Sequence, residues 1–204
     1  MTKRKNVSPE ALDASLLPKQ RKPIPQLRGE QGAFTVTVCI EAKADESFGG
    51  KVAEELRRAR KRPVTRFPER LDWLTRSLLG LPAFKDDQFL VLSDVVANLP
   101  YQLLSAIGGT LLEARLQGAS KAVFIVHEFR TSSTVDAKMD DNANALNGFL
   151  HLLQSTNHGR VEDSELTGGH IVGPISIADR PVAAMKVPCD IPLFIGKIRT
   201  DRLA

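Results

Sequence analysis

The chain has 204 residues, 42% hydrophobic and 25% charged, enough for one domain with a sizeable core and no cross-links. No run approaches about 18 consecutive apolar residues, so no membrane-spanning helix is expected, and no apolar segment follows the basic start Met1-Thr-Lys-Arg-Lys, so neither is a signal peptide. Two distant cysteines, Cys39 and Cys189, fit unpaired thiols in a reducing, cytoplasmic setting better than a disulfide framework.

Residues 1–28 hold four prolines and a cationic excess, and read as an irregular basic arm ahead of one α/β domain over 29–204. Arg28-Gly-Glu-Gln-Gly32 signals a turn. The alternation over Thr35–Lys43 then predicts a strand, with Val36, Val38, Ile40 and Ala42 on one face and Thr37, Cys39, Glu41 and Lys43 on the other. Ser47-Phe-Gly-Gly breaks it. A helix is predicted from about Lys51 to Lys61, stopped by Pro63, with Glu54 and Arg58 spaced as an i,i+4 pair. A second covers about Glu69–Leu79, closed by Gly80 and Pro82. Phe89–Leu92 is either a short strand or a buried turn. A long helix spans about Pro100–Gln117. Ala122–Val126 is continuously apolar, as in a central strand covered on both faces. Asp140 or Asp141 is expected to cap a helix near Asn142–Gln154, 155–180 reads as loop, and Leu193–Ile198 is the final strand. This order predicts a sheet packed by helices.

Several residues could carry chemistry. Glu41 and Lys43, two apart on a strand, share a face. A carboxylate there can hold a divalent cation, and the ammonium can stabilise developing phosphate charge. The pair equally suits the solvent side of an edge strand, since about one or two such acid-x-Lys triplets arise by chance in a chain of this composition. Asp136-Ala-Lys138 is another. Asp45 and Glu46 add oxygen ligands or merely charge a loop. Of His127 and Glu128, at the end of the apolar strand, one faces inward or both sit at the strand's exit, and His127 suits either a metal-ligand or acid–base role or a hydrogen-bonded structural one. Tyr101-Gln102 opens the long helix, as a polar helix start or as a reach into a nearby site. Arg57, Arg58, Arg60, Lys61 and Arg62 form a cluster that is either a solvated helix end or a phosphate-binding patch. No zinc spacing, P-loop, dinucleotide fingerprint or hydrolase elbow is present.

Ile40-Glu-Ala-Lys-Ala-Asp-Glu-Ser-Phe-Gly49, Tyr101-Gln-Leu-Leu104 with Leu111-Leu-Glu-Ala-Arg115, Ala122-Val-Phe-Ile-Val-His127 and Ile191-Pro-Leu-Phe-Ile-Gly196 occur in this order. Together they resemble an uncharacterised bacterial family similar to the PD-(D/E)XK restriction-endonuclease-like superfamily, over about residues 16–199. The resemblance implies a central mixed β-sheet flanked by helices and a magnesium-dependent nuclease site cutting DNA. It makes Glu41 the metal-binding acid, Lys43 the positioning lysine, Asp45 and Glu46 the acids that follow, and Gln102 a supporting polar residue. A homodimer is left open. The superfamily pattern also calls for an earlier acid on the neighbouring strand, yet Lys19–Leu27 contains none. Either another acid substitutes, or the chain is a nuclease-like binding or partner module that no longer cuts.

Overall fold

The computed structural model describes residues 35–44, 46–62, 64–86, 88–157, 166, 168–182 and 187–201. The basic arm, Glu30, Asp45 and Pro63 therefore lie outside the described residues. In chain order the elements are β1 (Val36–Lys43), α1 (Val52–Ala59), α2 (Phe67–Leu79), α3 (Asp94–Ala97), α4 (Tyr101–Leu116), β2 (Lys121–Arg130), α5 (Asp136–Thr156), β3 (His170–Ile175) and β4 (Leu193–Asp201).

The strands form a four-stranded mixed sheet in the order β1-β2-β4-β3. β1 pairs parallel to β2, and β2 parallel to β4, while β3 runs antiparallel to β4. Helical crossovers link the parallel strands, as parallel pairing requires. This is one α/β domain with helices packed on its sheet. No helix among the described residues is long and apolar enough to cross a membrane.

The register fixes which side chains share a face. Glu41 lies opposite Val126, which lies opposite Lys197; Lys43 lies opposite Glu128, which lies opposite Arg199. The row containing Ala122, Phe124, Val126, Leu193 and Ile195 is buried and joins Leu103, Leu104, Ile107 and Leu111 of α4 in one core. Each Val, Leu, Ile or Phe side chain so removed from water contributes about 1.5–3 kcal/mol. α4 comes close to α2 because Gly108 has no Cβ, which would otherwise meet Leu74 Cδ2 at 2.6 Å.

The other face is unlike its prediction. Ala122–Val126 is not buried on both sides: Val123 and Ile125 are only half-covered, Ile40 and Ile198 are 42% exposed, and Ile171 is 61% exposed. A continuous apolar run reports hydrophobicity without saying which side receives the helices. In β1 the contrast is sharper still. The polar-looking row holds the buried residues and the apolar row holds the exposed ones, because α4 lies over Glu41 and Lys43.

Other boundaries shift for local reasons. α2 starts at Phe67, two residues before the predicted Glu69, with Pro68 in its first turn. α5 begins at Asp136 rather than near Asn142, so Asp140 and Asp141 are interior residues and not caps. Phe89–Leu92 is a turn, with one bridge from Phe84 to Leu92. The segment read as loop contains β3. Arg58 pairs with Glu55 at 2.5 Å rather than with Glu54.

Candidate active site

The site is built where β1 ends against the first turn of α4. Burial decides its chemistry. Glu41 is 5% and Lys43 2% exposed, and ionised groups so far from water need partners. Gln102 supplies one to each. Its Nε2 donates to Glu41 Oε1 at 2.5 Å, and its Oε1 accepts from Lys43 Nζ at 2.9 Å. Lys43 also donates to the Ser47 carbonyl at 3.1 Å, and its Nζ stands 3.4 Å from Glu41 Oε1 and 3.9 Å from Glu46 Oε1. The Phe48 ring lies 5.2 Å below the ammonium, a cation–π distance.

Three segments far apart in sequence hold this geometry. α4 starts where the Tyr101 N–H meets the Gly50 carbonyl at 3.4 Å, and Val52 N–H meets Leu99 O at 2.9 Å. Both bonds tie the loop after β1 to the start of α4. Asn142 of α5 adds a third fastening by donating from Nδ2 to the Glu46 carbonyl at 3.0 Å. Next to Gln102, the Tyr101 ring packs on Phe67 at 4.8 Å. Burial pushes its phenol above the usual tyrosine range, and the nearby Arg70 only partly opposes this.

A second buried pair occupies the same face. Glu128 is 3% and Lys197 7% exposed, with Nζ and Oε2 3.0 Å apart. Lys197 approaches off the direction that a hydrogen bond requires, so neither Glu128 oxygen receives one among the described residues. His127 points the other way and meets Thr200 Oγ1 at 2.8 Å.

Among the sequence candidates, Glu41, Lys43 and Gln102 come together. Glu46 sits at the rim, its side chain 71% exposed. The basic residues do not join them. Arg57 and Arg58 are exposed in the last turn of α1, and Arg60, Lys61 and Arg62 are exposed just beyond it, at the end of the helix away from the loop that joins it to β1. Arg60 already donates to the carbonyls of Phe89 at 2.6 Å and Leu90 at 3.1 Å. Sequence reasoning missed Phe48, Asn142 and Lys197. The spacing Lys197–Arg199 on a strand was the signal available for the last.

Among the described residues no three His, Cys, Asp or Glu side chains gather at one point. The candidate ligand atoms on this face are carboxylate, amide and carbonyl oxygens, with the ammoniums of Lys43 and Lys197 set among them. That chemistry suits magnesium, which commonly takes only one or two protein carboxylates and keeps its remaining positions for water and phosphate.

A family model described as a domain of unknown function, DUF6946, matches residues 27–202. No curated protein and no solved structure matches the chain.

Proposed function

We propose that this chain, which belongs to the DUF6946 family, is a nuclease of the restriction-endonuclease-like type that hydrolyses phosphodiester bonds of DNA with magnesium. The observation carrying this reading is the Glu41–Gln102–Lys43 constellation, a carboxylate and an ammonium buried side by side and bonded to one amide. The mixed sheet with Glu41 and Lys43 at a strand end agrees with what the sequence resemblance implies, and so supports it.

When bound, a divalent cation would polarise a phosphoryl oxygen and activate water at neutral pH. Glu41 offers it a carboxylate oxygen whose orientation Gln102 fixes. Lys43 supplies a positive charge that cannot wander, since Ser47 and Gln102 accept from it on two sides. Its loosest partner is Glu46 at 3.9 Å, on the open side. A phosphate oxygen arriving there displaces Glu46 and meets the ammonium where negative charge develops. The overall reaction forms one P–O bond to the water oxygen, which gives up a proton to solvent, and breaks one ester P–O bond, whose leaving alkoxide takes a proton from solvent. The exposed cations of α1 then hold flanking phosphates.

A second reading, a nuclease-like module that binds without cutting, draws on the 2% exposure of Lys43. Plasmid DNA incubated with Mg²⁺ or Mn²⁺ separates the two. The nuclease reading expects nicking by the wild type, lost in Glu41→Gln and Lys43→Met. DNA shifted in a gel but left intact by the wild type overturns it in favour of the second.

A further inference from the structure

The charges on the buried sheet face form a lattice, not a single pair. Across β1, β2 and β4 one row reads Glu41, Val126, Lys197 and the next reads Lys43, Glu128, Arg199. Glu128 therefore stands directly beside Lys43 and diagonally from Glu41. Strand spacing puts their Cα atoms about 8 Å apart, within mutual reach of two glutamate side chains. Both carboxylates rise from the C-terminal ends of neighbouring parallel strands.

Glu128 is unusual for a buried acid. A carboxylate out of water normally collects N–H or O–H donors, because leaving its lone pairs unsatisfied costs about 1–3 kcal/mol or more. At 3% exposure its two oxygens have none among the described residues, and only the misaligned Lys197 ammonium balances the charge. Carboxylate oxygens held in place and short of hydrogen-bond donors are what a hard cation takes from a protein.

We infer that Glu128 is the second carboxylate of the site, binding a divalent cation jointly with Glu41, and that Lys197 is the counter-ion holding its place when no cation is there. This rests on the nuclease reading for its purpose but on the sheet register for its geometry. It answers the missing upstream acid, since the second ligand comes from β2, the parallel neighbour of β1, at a position that a pattern written around β1 does not include. It also gives Lys197 a definite role. An ammonium competing with the cation weakens cation binding while keeping the cation-free fold stable.

The test is Mn²⁺ titration of the full chain by calorimetry, run beside Mn²⁺-dependent plasmid nicking. Wild type is compared with Glu41→Gln, Glu128→Gln and Lys197→Met, each checked for folding by fluorescence. Glu128→Gln is expected to weaken Mn²⁺ about 10-fold or more, the scale of losing support at a metal site. Lys197→Met is expected to tighten Mn²⁺ and to raise the thermal shift that it produces. If Glu128→Gln binds and nicks as wild type does while Glu41→Gln does neither, the inference falls and the nuclease reading stands. If wild type binds Mn²⁺ through Glu128 but leaves DNA intact, the cation site stands and the nuclease reading falls. Should Glu128→Gln fail to fold, Lys197→Met decides alone: unchanged or weaker Mn²⁺ binding overturns the assignment.

Discussion

Gln102 donates to Glu41 at 2.5 Å from a position 61 residues further along the chain, and the same amide accepts from Lys43. One side chain thus satisfies an acid and a base that are both out of water. Gln102→Leu keeps the volume and removes both bonds. The expected loss is about 1–3 kcal/mol in all, because Lys43 keeps the Ser47 carbonyl and the two charges keep their 3.4 Å approach to each other. Trp73 is the chain's single tryptophan and is buried, so its fluorescence in a urea titration reads the change directly.

Glu41 and Lys43 are expected to be strongly non-additive. Lys43→Met strands a buried carboxylate, and Glu41→Gln leaves the ammonium short of countercharge. Breaking a buried pair from one side costs about 3–5 kcal/mol, whereas replacing both sides costs far less. The double variant should be less destabilised than the sum of the singles, and less than Lys43→Met alone. Urea midpoints for the four proteins check this.

Much of this was legible in the residues and some was not. The alternation Thr35–Lys43 placed Glu41 and Lys43 on one face, because strand geometry alone decides that. Their burial was not legible, since a pattern of Val36, Val38 and Ile40 against Thr37, Glu41 and Lys43 points the apolar row inward. The polar row is buried because α4 packs over it, a decision made more than 50 residues away. β3 was missed for a related reason. His170–Ile175 includes Gly173 and Pro174, poor strand residues, and gains its order by pairing with β4. The early start of α5 escaped because Asp140 and Asp141 look like caps when seen without Asp136.

Tyr101 should titrate late. It is the chain's single tyrosine, so absorbance near 295 nm follows one phenol. Burial raises its pKa above the ordinary value of about 10. The unfolded phenol ionises first, so the unfolded state sheds its proton while the fold retains it, and stability falls as pH rises from about 10 through the native value. A midpoint above 10 in the folded chain, returning to about 10 in denaturant, is the expected result.

Asp86 shifts in the opposite direction. Its carboxylate accepts from the backbone N–H groups of Leu90 at 3.0 Å, Val91 at 2.7 Å and Gln88 at 2.9 Å, and the Leu90 bond leads in holding its pKa below the usual aspartate range. These bonds close a turn in which Phe89 has a left-handed backbone, φ 58°. The stabilisation is present above the unfolded aspartate value and is lost as pH falls through the lower native one. Carboxyl NMR titration should place Asp86 below its unfolded value, and Asp86→Asn should make the 86–91 amide signals insensitive to that titration.

The basic cluster divides by use. Arg60 is bonded to the 86–91 turn, while Arg57, Lys61 and Arg62 are exposed. Replacing those three by alanine should change the unfolding free energy read from a urea titration by no more than about 0.5 kcal/mol per substitution. It should also weaken DNA binding and reduce the slope of log affinity against log salt by about 0.9 for each phosphate no longer neutralised. Binding measured between low and moderate salt gives both numbers.

The inverted burial of β1 has a consequence for how the sheet is aligned. Sliding the strand by one residue would carry Ile40 and Ala42 under α4 and bring Glu41 and Lys43 out to water. Hydrophobicity alone favours that slip. What opposes it is a set of partners that exist at one alignment only: the amide of Gln102, the Ser47 carbonyl and the Phe48 ring. The same charged residues that suit the site for chemistry therefore act as a key cut for a single position of the strand, and the fold keeps its place by keeping its site.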